Sequence, residues 1–600
     1  MRYACLAVLS LVLAMSCSIP GSQTPSASSP PSVLLSNYNG SFSYTVDAGS
    51  TAKNVYFVFS NTGVDASASA ATVKNAVGSI KVDGAEIAAS SAQPAGGPSA
   101  SSTNIKDFLA RSNRDIASVQ RNGEIKVSAN SQAGVGAPSF DAVGGVPLFL
   151  NDIDASGSLT PLSAHCRYST VPMLGSPIVT AQGNRSLNIY VADDCWSSSQ
   201  TGTASADEVA QAISPSYPAK MHVITQAMVD ALAARFLSTG TTDIYAYDTA
   251  ILGPEWGPLG SSALASSLIP FDGNITILLS DISNDNSDDG GIVGYFWDGN
   301  NYVHTATNGS NGRIMFVIDA VMYANPRVDG HTQPTGGFGW AATNYWAEEV
   351  FSTLAHEFQH MIQFYQKGIV KRGDGQTADT WINEMCSQLI EDLVASPNLL
   401  GGRGPRGVNT ATGDAGPTGN IYGRIPDFNR LLSNQLTKTY SYGVDDYSFS
   451  YAFGSWLMRN YGGAEFVKNV VYDSATDAAC ITDAVTKATG RSVTLADLLT
   501  RWAVSVLGSN RTDMPPGYVY NNGASWLSST AGGISYQLGS IDFFNYNPTP
   551  QVLTGTGSVP RGTIATAANV YFQAASGLTG SKTWSLDVPQ GVAFSVVVTP

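Results

Sequence analysis

Charge, histidine, cysteine and long apolar runs are all scarce in this sequence. Charged residues make up only 13% of the 600 positions, and the net charge of -15 is relieved by no basic run or stripe. Nucleic-acid binding needs such a stripe, so no nucleic-acid partner is expected. Beyond the N-terminus no stretch is long and apolar enough for a transmembrane helix, so any hold on a membrane must come from an anchor. The six cysteines show no CxxC spacing, which sets aside a cysteine-built zinc site. The histidines also number only six, so two of them in one short motif is a pattern worth following.

Gly, Ser, Thr and Asn take the place of the missing charge, a balance that suits loop-rich β structure outside the cytoplasm. Hydrophobic residues reach 43%, which is globular, and the length calls for several domains. Residues 1–17 read as an export signal: Arg2, then an apolar run from Leu6 to Met15 of h-region length. The run ends Leu13-Ala14-Met15-Ser16-Cys17. This resembles a bacterial lipobox, which implies a lipid on Cys17, although Met15 stands where a small residue is usual. The alternative is cleavage near Ser16 and free secretion. A Ser/Pro-rich tether follows over residues 18–32. The expected location is the bacterial cell envelope, with the membrane engaged only through the lipid. Four cysteines then remain, and neighbourhood favours the disulfides Cys166–Cys195 and Cys386–Cys480.

Period-two alternation predicts a β-rich module over 33–145, with strands at Ser41–Val46 and Lys53–Phe59. A second, small β module is predicted over 530–600, with Trp584–Val588 and Phe594–Val598 as strands. The region 146–510 between them is mixed and opens with a β-rich lead-in, 146–200. Its predicted helices are Asp207–Ile213, Thr225–Phe236, Tyr345–Gln366 (stopped by Gly368), Trp381–Val394, Tyr451–Tyr461 and Thr494–Leu507. Its predicted strands are Asp243–Tyr247, Ile275–Leu279 and Arg313–Ile318.

The chemistry centres on His356-Glu357-Phe358-Gln359-His360. Histidines four apart share one helix face, so both imidazoles can bind one Zn²⁺. Glu357 lies beside them, placed to take a proton from a zinc-bound water as general base. A catalytic zinc needs a third protein ligand. A metzincin continuation would require Gly and His where Gln363 and Gln366 stand, so that branch is closed. The run Asn383-Glu384-Met385-Cys386-Ser387-Gln388 resembles the NExxSD motif of the gluzincins, which implies Glu384 as the third ligand and a thermolysin-like α+β zincin domain. Gln388 replaces the Asp that orients the first histidine in that motif.

More of the chain, from about Ser186 to Leu507, resembles the hyicolysin family of bacterial metallopeptidases. The resemblance rests on Leu187-Asn188-Ile189-Tyr190-Val191-Ala192-Asp193-Asp194, Ile251-Leu252-Gly253-Pro254-Glu255-Trp256-Gly257, Ile275–Ile282, Gly294-Tyr295-Phe296 and the motifs above. It implies a zinc endopeptidase acting on proteins or peptides. Related zincins supply an oxyanion donor from a later helix, and Tyr447–Leu457 resembles that element. Tyr447 and Tyr451 are the candidates, with Tyr447 preferred by its distance from Tyr461-Gly462. The strand Arg313–Ile318 is either an edge that pairs with substrate or an ordinary buried strand. Asp281, Asp285, Asp288 and Asp289 crowd one loop, a candidate Ca²⁺ site without EF-hand register; a solvated acidic loop is the competing reading. His222, His304 and His331 have no motif around them. The rival function is a surface adhesin or structural lipoprotein carrying an inactive zincin scaffold, and a zincin acting on a non-peptide bond is a third reading.

Overall fold

The computed structural model describes residues 32–36, 40–62, 80–87, 143, 148–154, 156–197, 220–239, 242–288, 291–303, 307, 309–327, 339–395, 424–430, 436, 444–522, 529–536, 538–554 and 567–600. The expected signal with Cys17, nearly all of the tether, the helix Asp207–Ile213, Asp289, His304 and His331 lie outside the described residues.

The N-terminal strands are β1 (Ser32–Ser36), β2 (Gly40–Asp47), β3 (Lys53–Asn61), β4 (Lys81–Val82) and β5 (Ala85–Glu86). The central region contributes β6 (Leu148–Ile153), β7 (Leu159–Ser169), β8 (Ile178–Thr180), β9 (Gly183–Ala192), β10 (Asn274–Ser280), β11 (Gly294–Tyr295) and β12 (Met315–Asp319). They form one sheet of order β11-β12-β10-β9-β7-β6, with β8 beside β9. Strands β9, β10 and β12 are mutually parallel, whereas β11 and β7 run antiparallel to their neighbours. The parallel strands are buried on both faces, which is why they read as continuous apolar runs. Ile275, Ile277, Leu279, Phe316 and Ile318 join the large helical core. Leu278, Met315 and Val317 point the other way, into a smaller core with Leu150, Leu159 and Cys166.

Helices α1 (Gln226–Phe236), α2 (Ile244–Leu252), α3 (Tyr345–Gln363) and α4 (Thr380–Val394) belong to the large core, followed by α5 (Val444–Asn460), α6 (Ala464–Tyr472), α7 (Ala479–Thr489) and α8 (Leu495–Gly508). Phe358 of α3 meets Phe236 edge to face at 5.1 Å, and Phe236 meets Phe316 of β12 at 5.4 Å. These rings lock α3 to the sheet. The predicted strand Asp243–Tyr247 is instead the start of α2. Asp243 caps it, accepting from the Ala246 N–H at 2.7 Å, and buried residues recur with helical spacing through Leu252.

Gly368 does not stop the helix that carries His356 and His360. The chain continues past Gln363 as a π-helix, Phe364–Arg372, and ends at Gly373, whose φ is 81°. Gly368 serves a close approach, since a Cβ there would stand 3.0 Å from the Gly375 carbonyl carbon. The Gln366 amide donates to the Pro254 carbonyl at 2.6 Å, so the Leu252–Gly257 turn braces this extension.

The last strands are β13 (Ser529–Ala531), β14 (Ile534–Tyr536), β15 (Leu553–Thr554), β16 (Asn569–Leu578), β17 (Ser581–Val588) and β18 (Val592–Thr599). The two terminal β modules expected from sequence are one sandwich. Its sheets, β1-β18-β3-β16-β15 and β2-β17-β4-β5, each mix strands from both ends of the chain. Val55, Phe57 and Phe59 of β3 share a core with Trp584 of β17 and Phe594 of β18. The opposite side of that sheet is buried too, because Val58, Tyr571 and Val597 belong to the large helical core. The sandwich is therefore packed onto the central region. No described helix is long and apolar enough to cross a membrane.

Neither expected disulfide is present: Cys195, Cys386 and Cys480 are buried thiols, and the buried Cys166 donates from Sγ to the Tyr168 carbonyl at 3.1 Å. Cys166 and Cys195 fall in different cores, on opposite sides of the central sheet. Cys386 and Cys480 lie near Lys367, whose ammonium donates to the Asp473 and Ala475 carbonyls at 2.6 and 2.7 Å. Burial pushes the Cys386 thiol up to about 12, so it stays a thiol at neutral pH.

Candidate metal centre

Helix α3 is buried along nearly its whole length, which fixes the rotation of its polar residues. His356 and His360 stand one turn apart, with ring centroids 4.9 Å from each other. Glu384 projects from α4 onto the same spot. Its Oε2 lies 3.0 Å from His356 Nε2 and 3.6 Å from His360 Nε2. Ligand atoms of these three residues all fall within 4.8 Å of one another, the one such group among the described residues. Both Nδ1 atoms are engaged elsewhere, so both Nε2 atoms are left for the shared point. Two imidazoles and a carboxylate fit the donor set of a catalytic zinc.

The partners on the outer side differ from expectation at one residue. His360 Nδ1 pairs with Asn383 Oδ1 at 2.9 Å, so Asn383 fixes the ring of one candidate ligand. His356 Nδ1 pairs with Glu391 Oε1 at 2.6 Å, not with Gln388. Gln388 turns away and donates to Ser450 Oγ at 2.9 Å and to the Glu384 carbonyl at 3.2 Å. Glu391 follows Glu384 by two helical turns and so shares its face. Its other oxygen accepts from Ser352 Oγ at 2.8 Å, which fixes its rotamer. Full charge is thus kept behind His356, supplied one turn later than the motif predicts. Glu391→Gln is expected to weaken metal affinity about 10–100-fold. Titration of the metal-free variant with zinc against a competing chelator measures this; unchanged affinity would remove Glu391 from the site.

The charges are strongly coupled. Burial opposes charge on His356, but its hydrogen bonds to the Glu384 and Glu391 carboxylates outweigh it and raise its pKa to about 10. His360 is raised for a similar reason, burial being outweighed by the charge of Glu384 and its hydrogen bond. Burial would raise Glu384, but the His360 charge and hydrogen bonds with both histidines hold it well below the usual carboxylate range. Glu357 goes the other way. Burial raises its pKa, and the two histidines only partly offset that.

Glu357 also accepts a hydrogen bond from the Phe296 backbone N–H, just past β11. This strand is the edge of the central sheet, and it runs antiparallel to β12. The predicted strand Arg313–Ile318 is interior, because β12 lies between β11 and β10. The edge beside Glu357 is therefore Gly294-Tyr295-Phe296. Of the two tyrosine candidates, Tyr447 lies with its ring 6.4 Å from that of His356, and the Arg424 guanidinium stacks over it at 4.8 Å. Tyr451 is fully buried beside Asp392 and Arg459. Arg424 and Glu391 carried no motif that would have singled them out.

The acidic loop holds no metal-like cluster among its described residues. Lys220 reaches Asp281 at 2.5 Å, and Arg327 and His222 reach Asp288 at 2.9 and 3.1 Å. Protein cations thus meet Asp281 and Asp288, two of the four carboxylates of the calcium expectation; Asp289 lies outside the described residues.

Comparison with known proteins agrees with the motifs. The family model Peptidase M30 matches residues 199–599. A curated relative, the neutral metalloprotease ShpI of Staphylococcus hyicus, is 25% identical over 268 residues. That match covers 44% of this chain and 51% of the relative, so the chain spans about half the length of that protein.

Proposed function

The chain belongs to the peptidase M30, or hyicolysin, family of metallopeptidases, and from that premise we propose that it is a zinc-dependent endopeptidase with a zincin-type catalytic unit. The observation that carries the reading is the convergence of His356, His360 and Glu384 with Glu357 beside them. His356, His360 and Glu384 would hold the metal, and zinc bound there would supply Lewis acidity to a water and to the scissile carbonyl. Glu357 takes the proton of the attacking water and passes it to the leaving amine. Tyr447, beside His356, donates to the oxyanion. The substrate backbone adds to β11 as a further strand. Residues 1–17 and Cys17 support a lipoprotein of the cell envelope.

Hydrolysis of casein by the full chain tests the function. Activity is expected to disappear on treatment with a chelator and to return with zinc. Hydrolysis that survives complete metal removal would overturn the reading. So would the absence of any cleavage by zinc-loaded protein, the result expected of an inactive adhesin scaffold.

A further inference from the structure

The segment before residue 199 lies outside the family match, yet it supplies β6, β7 and β9 to the sheet that carries the site. In that segment Asp152, on β6, is 3% exposed. Its Oδ1 accepts from the Tyr295 hydroxyl at 2.6 Å, and its Oδ2 accepts from Ser280 Oγ at 2.6 Å. Strands β6 and β11 stand at opposite ends of the strand order. The sheet therefore curls, so that β6 packs over the face of the smaller core, where Leu150 and Ile153 meet Tyr295, and Asp152 comes within direct reach of β10 and β11. It bonds the end of β10 and the edge strand together. The neighbouring Asn151 holds β6 in place: its N–H donates to Asn311 Oδ1 at 2.8 Å, and Asn311 Nδ2 donates to its carbonyl at 3.0 Å.

Strand β11 needs such a hold. It has two residues, and among the described residues it pairs with β12 alone. An edge strand this short is poorly fixed by its ladder alone. It also sits hard against α3. A Cβ on Gly294 would stand 2.9 Å from Thr353 Cγ2 and 2.8 Å from Ile318 Cδ1. The next residues along are Tyr295, tied to Asp152, and Phe296, whose N–H meets Glu357.

We propose that Asp152 is a positioning residue: through the Tyr295 hydroxyl it fixes edge strand β11 in register beside Glu357 and the incoming substrate backbone. It touches neither substrate nor metal. The inference rests on the endopeptidase reading and on the assignment of β11 as the substrate edge. It also makes residues 148–197 part of the catalytic unit. Loosening β11 misplaces the substrate carbonyl and Glu357 together, and small displacements at a reacting centre are costly.

The test uses zinc-loaded full chain and a peptide long enough to pair with the strand, with kcat counted per bound zinc. Tyr295→Phe removes only the hydroxyl and so guards against the chance that Asp152→Ala does not fold. Both variants are expected to raise KM and lower kcat, with kcat/KM down about tenfold or more. The double variant should lose little beyond either single one, because both break the same link. Asp152→Asn keeps an acceptor for Tyr295 and should restore most of the activity. A purely structural role would reduce the yield of folded, zinc-bound enzyme and leave its KM and per-zinc kcat unchanged; that result with Tyr295→Phe would overturn the proposal. Wild-type protein that binds zinc but cleaves nothing would instead overturn the endopeptidase reading, and this proposal with it.

Discussion

Glu357→Gln is expected to lower kcat/KM for protein substrates by about 10²–10⁴-fold while leaving zinc content unchanged. Glutamine has the size and shape of glutamate. It can still accept from the Phe296 N–H, so β11 should stay in place. It has no basic carboxylate, so it cannot take a proton from water or return one to the amine. Glu357 is 6% exposed, and burial raises its pKa above the ordinary glutamate value. The loss should fall on kcat, with KM little changed, because the proton transfer belongs to the transition state. Steady-state kinetics beside metal analysis checks both halves. A variant with wild-type kcat would remove Glu357 from the chemistry.

The second large effect is expected at the third ligand. Glu384→Ala should lose the metal and all measurable hydrolysis. Its Oε2 is the atom that both histidine Nε2 atoms face, at 3.0 and 3.6 Å. Without it two neutral nitrogens remain, and no protein anion faces the ion directly. The stability conferred by bound metal should vanish as well. A ligand present at about 100 times its Kd stabilises the fold by about 2.7 kcal/mol. Added zinc should therefore raise the melting temperature of wild type but not of Glu384→Ala. Glu391→Gln, by contrast, should retain zinc at high concentration. A zinc-dependent thermal shift in Glu384→Ala equal to that of wild type would place the third ligand elsewhere.

The parts of the site that could be read from sequence were those written in local spacing. His356 and His360 share a helix face because of their interval, and Asn383 and Glu384 open a second helix. The glutamines at 363 and 366 closed the metzincin branch, and Gln366 in fact braces the Pro254 turn. Glu391 was not legible. Its tie to His356 depends on how α4 packs against α3, and the motif pointed to Gln388. The interior place of Arg313–Ile318 was hidden because an apolar strand looks alike at an edge and within a sheet. The sandwich was split into two modules for a similar reason. Strand β2 pairs with β17 from the far end of the chain, and period-two alternation says nothing about partners. The separation of Cys166 from Cys195 shows the limit of sequence neighbourhood, since the sheet stands between their two cores.

Metal analysis of the purified full chain tests the central claim most directly. The account predicts one zinc per chain, lost when His356, His360 and Glu384 are replaced together. Zinc-free protein after exposure to the ion, or stoichiometric zinc retained in the triple variant, would contradict it.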